Sequence, residues 1–337
     1  MSRLNELRMI ARVAQMYHVE GRRQVEIAKH LRMSQATVSR MLKKAIAEEI
    51  VRTTVVAPSG TYSDLEGALR DRYGLSEAIV AECAEDRDAA IMARIGEAAA
   101  HFLEATLQPG EVIGVSSWSE TILRMVDAIH PMGQGRAGHV VQMLGGMGDP
   151  TVQVHANQLV TRLAKLTGAT SHLLNAPGVA QSRDARLVLV GDPYVRETMD
   201  LFRRITLAVV GLGTVEPSSM LARSGNVFSP RELAEVAAAG GVGDMSLRFF
   251  DGAGRPVRTA LDDRVIGITV DELSGIDRVV ALAGGQTKTD AIRGALLTGV
   301  IDVLVTDRFT AERLTLNDFA RTPEGKGQAM TDLHRAG

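Results

Sequence analysis

Ser34, Gln35, Thr37, Ser39, Arg40, Lys43 and Lys44 cluster near the start of the chain, hydroxyl and amide groups first and cations later. That order suits a recognition helix in a DNA major groove, reading bases near its N-terminus and gripping phosphates around it. Residues 24–45, QVEIAKHLRMSQATVSRMLKKA, read as two short helices joined by a tight turn. Ala28 is small enough for the helices to cross closely. Ser34 is placed to cap the second helix by accepting from the Thr37 N–H, and Val38 and Met41 face a small core. The turn position four after Ala28 favours glycine, because φ > 0 is cheap there. Arg32 stands in its place, so the turn is strained or takes another geometry. His30 reads as a surface residue rather than a ligand. The plain alternative is a surface helix pair with a solvated basic face.

Four later loops could hold a small molecule. In GVSSWSET, residues 114–121, a strand runs into hydroxyl residues and then a helix. Helix-start N–H groups with Ser117, Ser119 and Thr121 could hold an anion or a polyol; a simple capping turn is the alternative. Trp118, the one tryptophan, could stack on a sugar face or pack under the sheet. In QMLGG, Gly145 and Gly146 after Gln142 permit close backbone approach, a weak signal alone. Gly211-Leu212-Gly213-Thr214 begins like a dinucleotide fingerprint, but Glu216 replaces the last glycine and would oppose a pyrophosphate. Gly284, Gly285, Thr287 and Lys288 open a helix after an apolar strand and make a plausible phosphate cradle. It is not a P-loop, and a lysine at a helix start opposes the macrodipole unless an anion joins it.

Catalytic constellations are missing. GVSSW lacks the last glycine of a nucleophile elbow, and the histidines show no metal-ligand spacing. Asp244, Asp251 and Glu120 could act as acid or base, although such carboxylates are usually surface or capping groups. No metal and no cofactor is expected.

The elements that must position these residues alternate. Residues 4–17 have near-helical apolar spacing, and 50–56 (IVRTTVV) read as a short strand that could form the wing of a winged helix. Ala57-Pro58-Ser59-Gly60 is the first strong breaker cluster. Residues 63–73 read as a helix capped by Ser63 with Glu66 as its capping box. Strands are expected at 78–81, 112–115, 139–144, 171–174, 207–211, 246–250, 265–269, 279–283 and 303–306. Helices are expected at 88–106, 120–129, 152–166, 192–203, 230–239, 289–297 and 310–318. The alternation predicts an α/β domain with a mainly parallel sheet.

Composition bounds the rest. A chain of 337 residues with 45% hydrophobic content is too long for a helix pair alone and has a substantial core. Aromatics at 4% argue against a base-stacking RNA surface. A single cysteine, Cys83, excludes an internal disulfide. There is no long apolar run and no signal core, so a cytoplasmic protein without membrane contact is expected. Net charge is −2, yet residues 1–52 hold eleven Lys and Arg against five Asp and Glu. A basic N-terminal unit on an acidic body fits local DNA contact.

With these motifs in view, the chain resembles the SorC family of sugar-binding bacterial transcription regulators. The resemblance runs from about Arg8 to Leu316. It is carried by the N-terminal signature and, in order, by GVSSWSET, QMLGG, LLNAP, VVGLG, GDMSLRFFD, VIGI, ALAGGQTKTDAIRGAL and VLVTD. It implies an N-terminal (winged) helix-turn-helix and a doubly wound α/β effector domain, similar in fold to ribose-5-phosphate isomerase and glucosamine-6-phosphate deaminase. It also implies a phosphorylated-sugar or polyol effector and a homo-oligomer, dimer or tetramer. On matching positions, Thr121, Gly145, Gly146 and Lys288 become ligand contacts and Asp244 an acceptor for sugar hydroxyls, with Gln142 and Asn157 as weaker candidates. Ser119 stands where many members have glycine. Its side chain would narrow the pocket and favour a small polyol or monophosphate.

The resulting expectation is an effector-controlled regulator, not an enzyme. Residues 1–57 would bind double-stranded operator DNA, 58–62 link, 63–318 bind the effector and oligomerise, and 319–337 form a tail. Two rivals stand beside it: a sugar-phosphate isomerase or deaminase with a DNA-binding head, and a sugar-binding module whose head makes only protein contacts.

Overall fold

The computed structural model describes residues 3–51, 58, 60–133, 135–226 and 228–316. Most of the strand expected over 50–56 lies outside them, as do residues 317–318 of the last expected helix and the tail. Contacts divide the chain into two compact units, Met1–Pro58 and Ser59–Gly337.

The first unit contains α1 (Arg3–His18), α2 (Gln24–Leu31) and α3 (Gln35–Ala47). Its core joins Ile10, Val13, Ala14 and Met16 of α1 to Ile27 and Ala28 of α2 and to Val38, Leu42 and Ala45 of α3. Met41 packs at the rim, and Leu4 is exposed. Ser34 caps α3, its Oγ accepting from the Thr37 N–H at 3.1 Å. Arg32 takes the left-handed conformation, φ 51° and ψ 47°, so the turn is the strained one. The next N–H, of Met33, reaches the Ala28 carbonyl at 3.0 Å and closes the end of α2.

The second unit opens with α4 (Ser63–Tyr73), β1 (Glu77–Ala81), α5 (Asp88–Thr106) and β2 (Glu111–Val115). It continues through α6 (Glu120–Ala128), β3 (Ala137–Gln142), α7 (Pro150–Thr167), β4 (Thr170–His172), α8 (Arg183–Gly191) and α9 (Pro193–Asp200). Next come β5 (Leu207–Thr214), α10 (Ser219–Ser224), α11 (Pro230–Ala238), β6 (Gly241–Met245) and β7 (Arg248–Asp251). It closes with α12 (Val270–Ser274), β8 (Arg278–Leu282), α13 (Thr289–Leu297), β9 (Val303–Asp307) and α14 (Arg308–Leu316).

Among the described residues the sheet runs β1-β9-β8-β5-β2-β3-β4, and its neighbours are parallel. The strands are apolar on both faces because helices cover both. On β5, Ala208, Val210 and Leu212 pack with residues of α4, α9, α13 and α14. Leu207 and Val209 pack with α5, α6 and α7 on the other face. The order reverses between β2 and β5: β3 and β4 extend to one side, β8 and β9 to the other. The carboxyl ends of two strands at such a reversal leave a crevice where ligands bind.

Four expectations are corrected. The strand expected at 246–250 is part of a hairpin, β6 and β7, whose two-residue turn is Ser246-Leu247. Both turn residues have positive φ, 52° and 62°, as a type I′ turn requires. Residues 265–269 form isolated bridges, Val265 with Val179 and Gly267 with Leu144, rather than a strand. At the start of α4, Tyr62 holds the cap position, and Glu66 is drawn away to accept from the Val80 N–H at 3.0 Å. The helix expected at 192–203 is α9 followed by a 3₁₀ turn, Leu201–Arg204.

Candidate functional site

Two loops leave the sheet at its reversal. After β2, Ser116-Ser117-Trp118-Ser119 lead into α6. β5 continues past the sheet and pairs with β6, placing Gly213 opposite Asp244. These segments, the Ser246-Leu247 turn and Lys288 at the start of α13 enclose a cavity of about 100 Å³. Its polar lining includes Ser116, Ser119, Glu120, Thr121, Ser218, Asp244, Ser246 and Lys288, with Trp118 and Leu221 among the apolar walls.

The glycines of Gly211-Leu212-Gly213 have a steric role here. A Cβ on Gly211 would lie 2.6 Å from Ser119 Oγ, and one on Gly213 would collide with the Asp244 carboxylate. The strand is bare where Ser119 and Asp244 lie against it. Asp244 is 9% exposed. Burial raises its carboxyl from 3.8 to about 6, against the lowering effects of the Leu247 N–H, which donates to Oδ2 at 2.8 Å, and of Lys288. Burial also lowers the Lys288 ammonium, against the opposing pull of Asp244, Asp88 and Glu120. Lys288 Nζ donates to the Leu212 carbonyl at 3.2 Å. Ser116 and Ser246 share a buried 2.8 Å hydrogen bond. It ties the hairpin turn to the β2 loop and helps hold two non-glycine residues in the left-handed region. Glu120 accepts from Ser219 Oγ of α10 at 2.9 Å. Ser119 caps α6, accepting from the Ile122 N–H at 3.3 Å.

Of the residues singled out in the sequence, the cavity gathers Ser119, Glu120, Thr121, Asp244 and Lys288. Ser117 and Gln142 are turned inward: Gln142 Nε2 donates to Ser117 Oγ at 2.7 Å, and Oε1 accepts from the Leu174 N–H at 3.0 Å. Gly145 and Gly146 are crowded by Pro177 and by the Gln142 amide, where no side chain fits. Trp118 lines the cavity while its Nε1 donates to the Gly145 carbonyl at 2.9 Å. Asn157 lies on α7 away from the cavity lining.

Gly284 and Gly285 do not form a free cradle. The Gly285 N–H donates to Thr310 Oγ1 at 2.8 Å and to Asp307 Oδ2 at 3.3 Å. Asp251 holds the turn after β7 through the Ala253 and Arg255 N–H groups. Residues passed over in the sequence are Ser116 and Ser246. A serine beside two already chosen was a usable signal for the first; the turn conformation gave none for the second.

In the first unit, Gln35, Arg40 and Lys43 are exposed on α3, and Thr37 and Ser39 are half-exposed. Lys44 turns instead to Glu6 of α1, 2.5 Å away, and holds that carboxyl below its ordinary value. Its ammonium ties two helices together.

A parallel α/β body with a polar cavity at its topological reversal, carried behind a basic helical unit, defines a small-molecule-binding regulator. Residues 58–315 match the model of a putative sugar-binding domain. The chain belongs to that family, the sugar-binding transcription regulators of the SorC group. It is 33% identical to the erythritol catabolism regulatory protein EryD of Brucella abortus (strain 2308), over 90% of this chain and 95% of that one. The full-length sorbitol operon regulator SorC of Klebsiella pneumoniae superposes with a TM-score of 0.69 at 27% identity, covering 92% of this chain and 98% of that one. A putative sugar-binding domain of a DeoR regulator from Pseudomonas syringae pv. tomato is 39% identical, with a TM-score of 0.61, over 76% of this chain and all of that one. Among the described residues no helix is long and apolar enough to cross a membrane.

Proposed function

We propose that the chain regulates transcription of genes for carbohydrate or polyol use, binding operator DNA through α3 and a small effector in the cavity. The observation that carries this reading is the pairing, in one chain, of an exposed Gln35-Thr37-Ser39-Arg40-Lys43 face with a polar cavity at the sheet reversal. Membership of a family whose named relatives regulate erythritol and sorbitol genes supports it. A kinship of the body with ribose-5-phosphate isomerases and glucosamine-6-phosphate deaminases, and a winged head, belong to the same proposal. One small head reads too few base pairs alone, so the working form is a dimer or tetramer that places two heads on two half-sites.

The head is tested by anisotropy of a labelled duplex taken from upstream of the gene. The full chain should bind it specifically, and Arg40→Ala should weaken binding by about 1–3 kcal/mol if Arg40 reads a base. Undiminished binding by the variant removes Arg40 from that role, and the absence of any specific complex favours a head that contacts protein.

One observation favours an enzyme as second reading: the fold brings Asp244, Glu120 and Lys288, groups able to move protons, to one cavity. Incubation with pentose and hexose phosphates separates the two. A regulator gives no product, whereas saturable turnover lost on Lys288→Ala makes the chain an enzyme.

A further inference from the structure

The lining of the cavity carries an unbalanced charge. Asp244 and Glu120 both face it, and Lys288 is the one cation among the described residues that line it. Asp88 bears on the same ammonium as well. The Lys288 ammonium is itself engaged, by the Leu212 carbonyl. A phosphate ester with two negative charges would meet two carboxylates and a cation already engaged. Like charges brought together at a binding site oppose association.

The two places where an anion would ordinarily dock are occupied by the chain's own groups. At the start of α6, Glu120 stands at the first helical position, where its carboxylate complements the helix dipole. Ser219 Oγ fixes that carboxylate. At the Gly284–Gly285 loop, the Gly285 N–H is spent on Asp307 and Thr310. The remaining polar side chains of the lining are serine and threonine hydroxyls and the Asp244 and Glu120 carboxylates. Carboxylates accept hydrogen bonds and donate none at neutral pH, so they match a ligand rich in O–H donors.

We infer that this cavity selects an uncharged polyol or free sugar and turns phosphate esters away, with Glu120 as the discriminating side chain. The inference rests on the cavity being the effector site, and its test separates the two claims. Trp118, the single tryptophan, lines the cavity, so its fluorescence reports occupancy. The full chain is titrated with erythritol, ribitol, sorbitol and D-ribose, then with erythritol 4-phosphate, sorbitol 6-phosphate, ribose 5-phosphate and inorganic phosphate. Thermal unfolding is followed in parallel, since a ligand of the native state raises the midpoint.

At least one uncharged compound should bind, with its phosphate ester weaker by about tenfold or more. Its affinity should not change between low and high salt, because no net charge is transferred. Glu120→Gln keeps an acceptor for Ser219 and removes a charge, so it should narrow the gap between ester and parent. A phosphate ester that moves Trp118 fluorescence at lower concentration than its parent overturns the inference and leaves the cavity as effector site. An unchanged gap in Glu120→Gln overturns the role given to that side chain. Silence from every compound in both measurements overturns the inference and the assignment of the cavity together.

Discussion

Asp244 concentrates the chemistry of the cavity in one carboxyl group. Burial is its largest perturbation, raising it from 3.8 to about 6, and the consequence for stability has a definite sign. Below about pH 4 the group is neutral in both folded and unfolded chains. Between about pH 4 and 6 the unfolded chain releases its proton while the folded chain keeps it, so unfolding gains ground. The contribution is therefore complete below the unfolded value and lost as pH rises through about 6, with a total on the order of 3 kcal/mol. Asp244→Asn removes this dependence. Its unfolding midpoint, taken relative to the parent chain, should rise between about pH 4 and 7; a difference that stays flat with pH contradicts the burial argument.

The same residue shows what a sequence can and cannot disclose at this scale. Asp244 is legible in the sequence as one of several possible acid or base groups, and only the family motif implies its role as an acceptor. Its burial against bare Gly213 depends on β5 running past the sheet to pair with β6, a pairing that no local pattern announces. Lys44 is the converse case. On α3 alone it is one more outward cation, and only the packing of α1 brings Glu6 within 2.5 Å.

At the scale of elements, periodicity located the sheet because its strands are continuous apolar runs between breakers. Helices with a wide buried apolar face, such as α5 and α13, are placed residue for residue. The failures have physical causes. Type I′ turns favour Asn-Gly, and Ser246-Leu247 carries no such signal. The turn holds because Leu247 N–H meets Asp244 and Ser246 meets Ser116. Residues 265–269 are β-branched and buried, yet they lie against loops and pair only at single bridges. α8 has no fully buried residue, and Ala185, Leu189 and Val190 meet the core only part-buried, so its helical signal is weak. α12 had a legible signal that was passed over, the capping box Thr269–Glu272.

The turn between α2 and α3 yields an element-scale prediction. A side chain in the left-handed region costs about 1 kcal/mol, part of which glycine returns in unfolded-state entropy. Arg32→Gly should therefore stabilise the first unit by about 0.5–1 kcal/mol. Amide hydrogen exchange in α2 and α3 of the full chain should slow about two- to fivefold. Unchanged or faster exchange would show that the Arg32 side chain makes a compensating contact.

At the scale of the whole molecule, a regulator needs its two units to be coupled in free energy. An effector shifts operator binding only if it binds the DNA-competent and DNA-incompetent arrangements with different affinity. Charge asymmetry and the breaker cluster after residue 56 made a two-unit organisation legible from composition. The cavity was legible only as separate loops, because its walls come from segments as distant in sequence as Ser116 and Lys288. The parallel sheet brings them together by ending β2, β5 and β8 on one edge.

The central claim, that occupancy of this cavity controls operator binding, is tested most directly by operator affinity of the full chain. It is measured without ligand and with saturating erythritol, ribitol or sorbitol, for the parent chain and for Asp244→Asn. The bound polyol should change the parent's affinity by about five- to a hundredfold, and Asp244→Asn should lose that response. An operator affinity indifferent to every polyol and sugar phosphate that binds the cavity, or an Asp244→Asn chain that responds as its parent does, would contradict it.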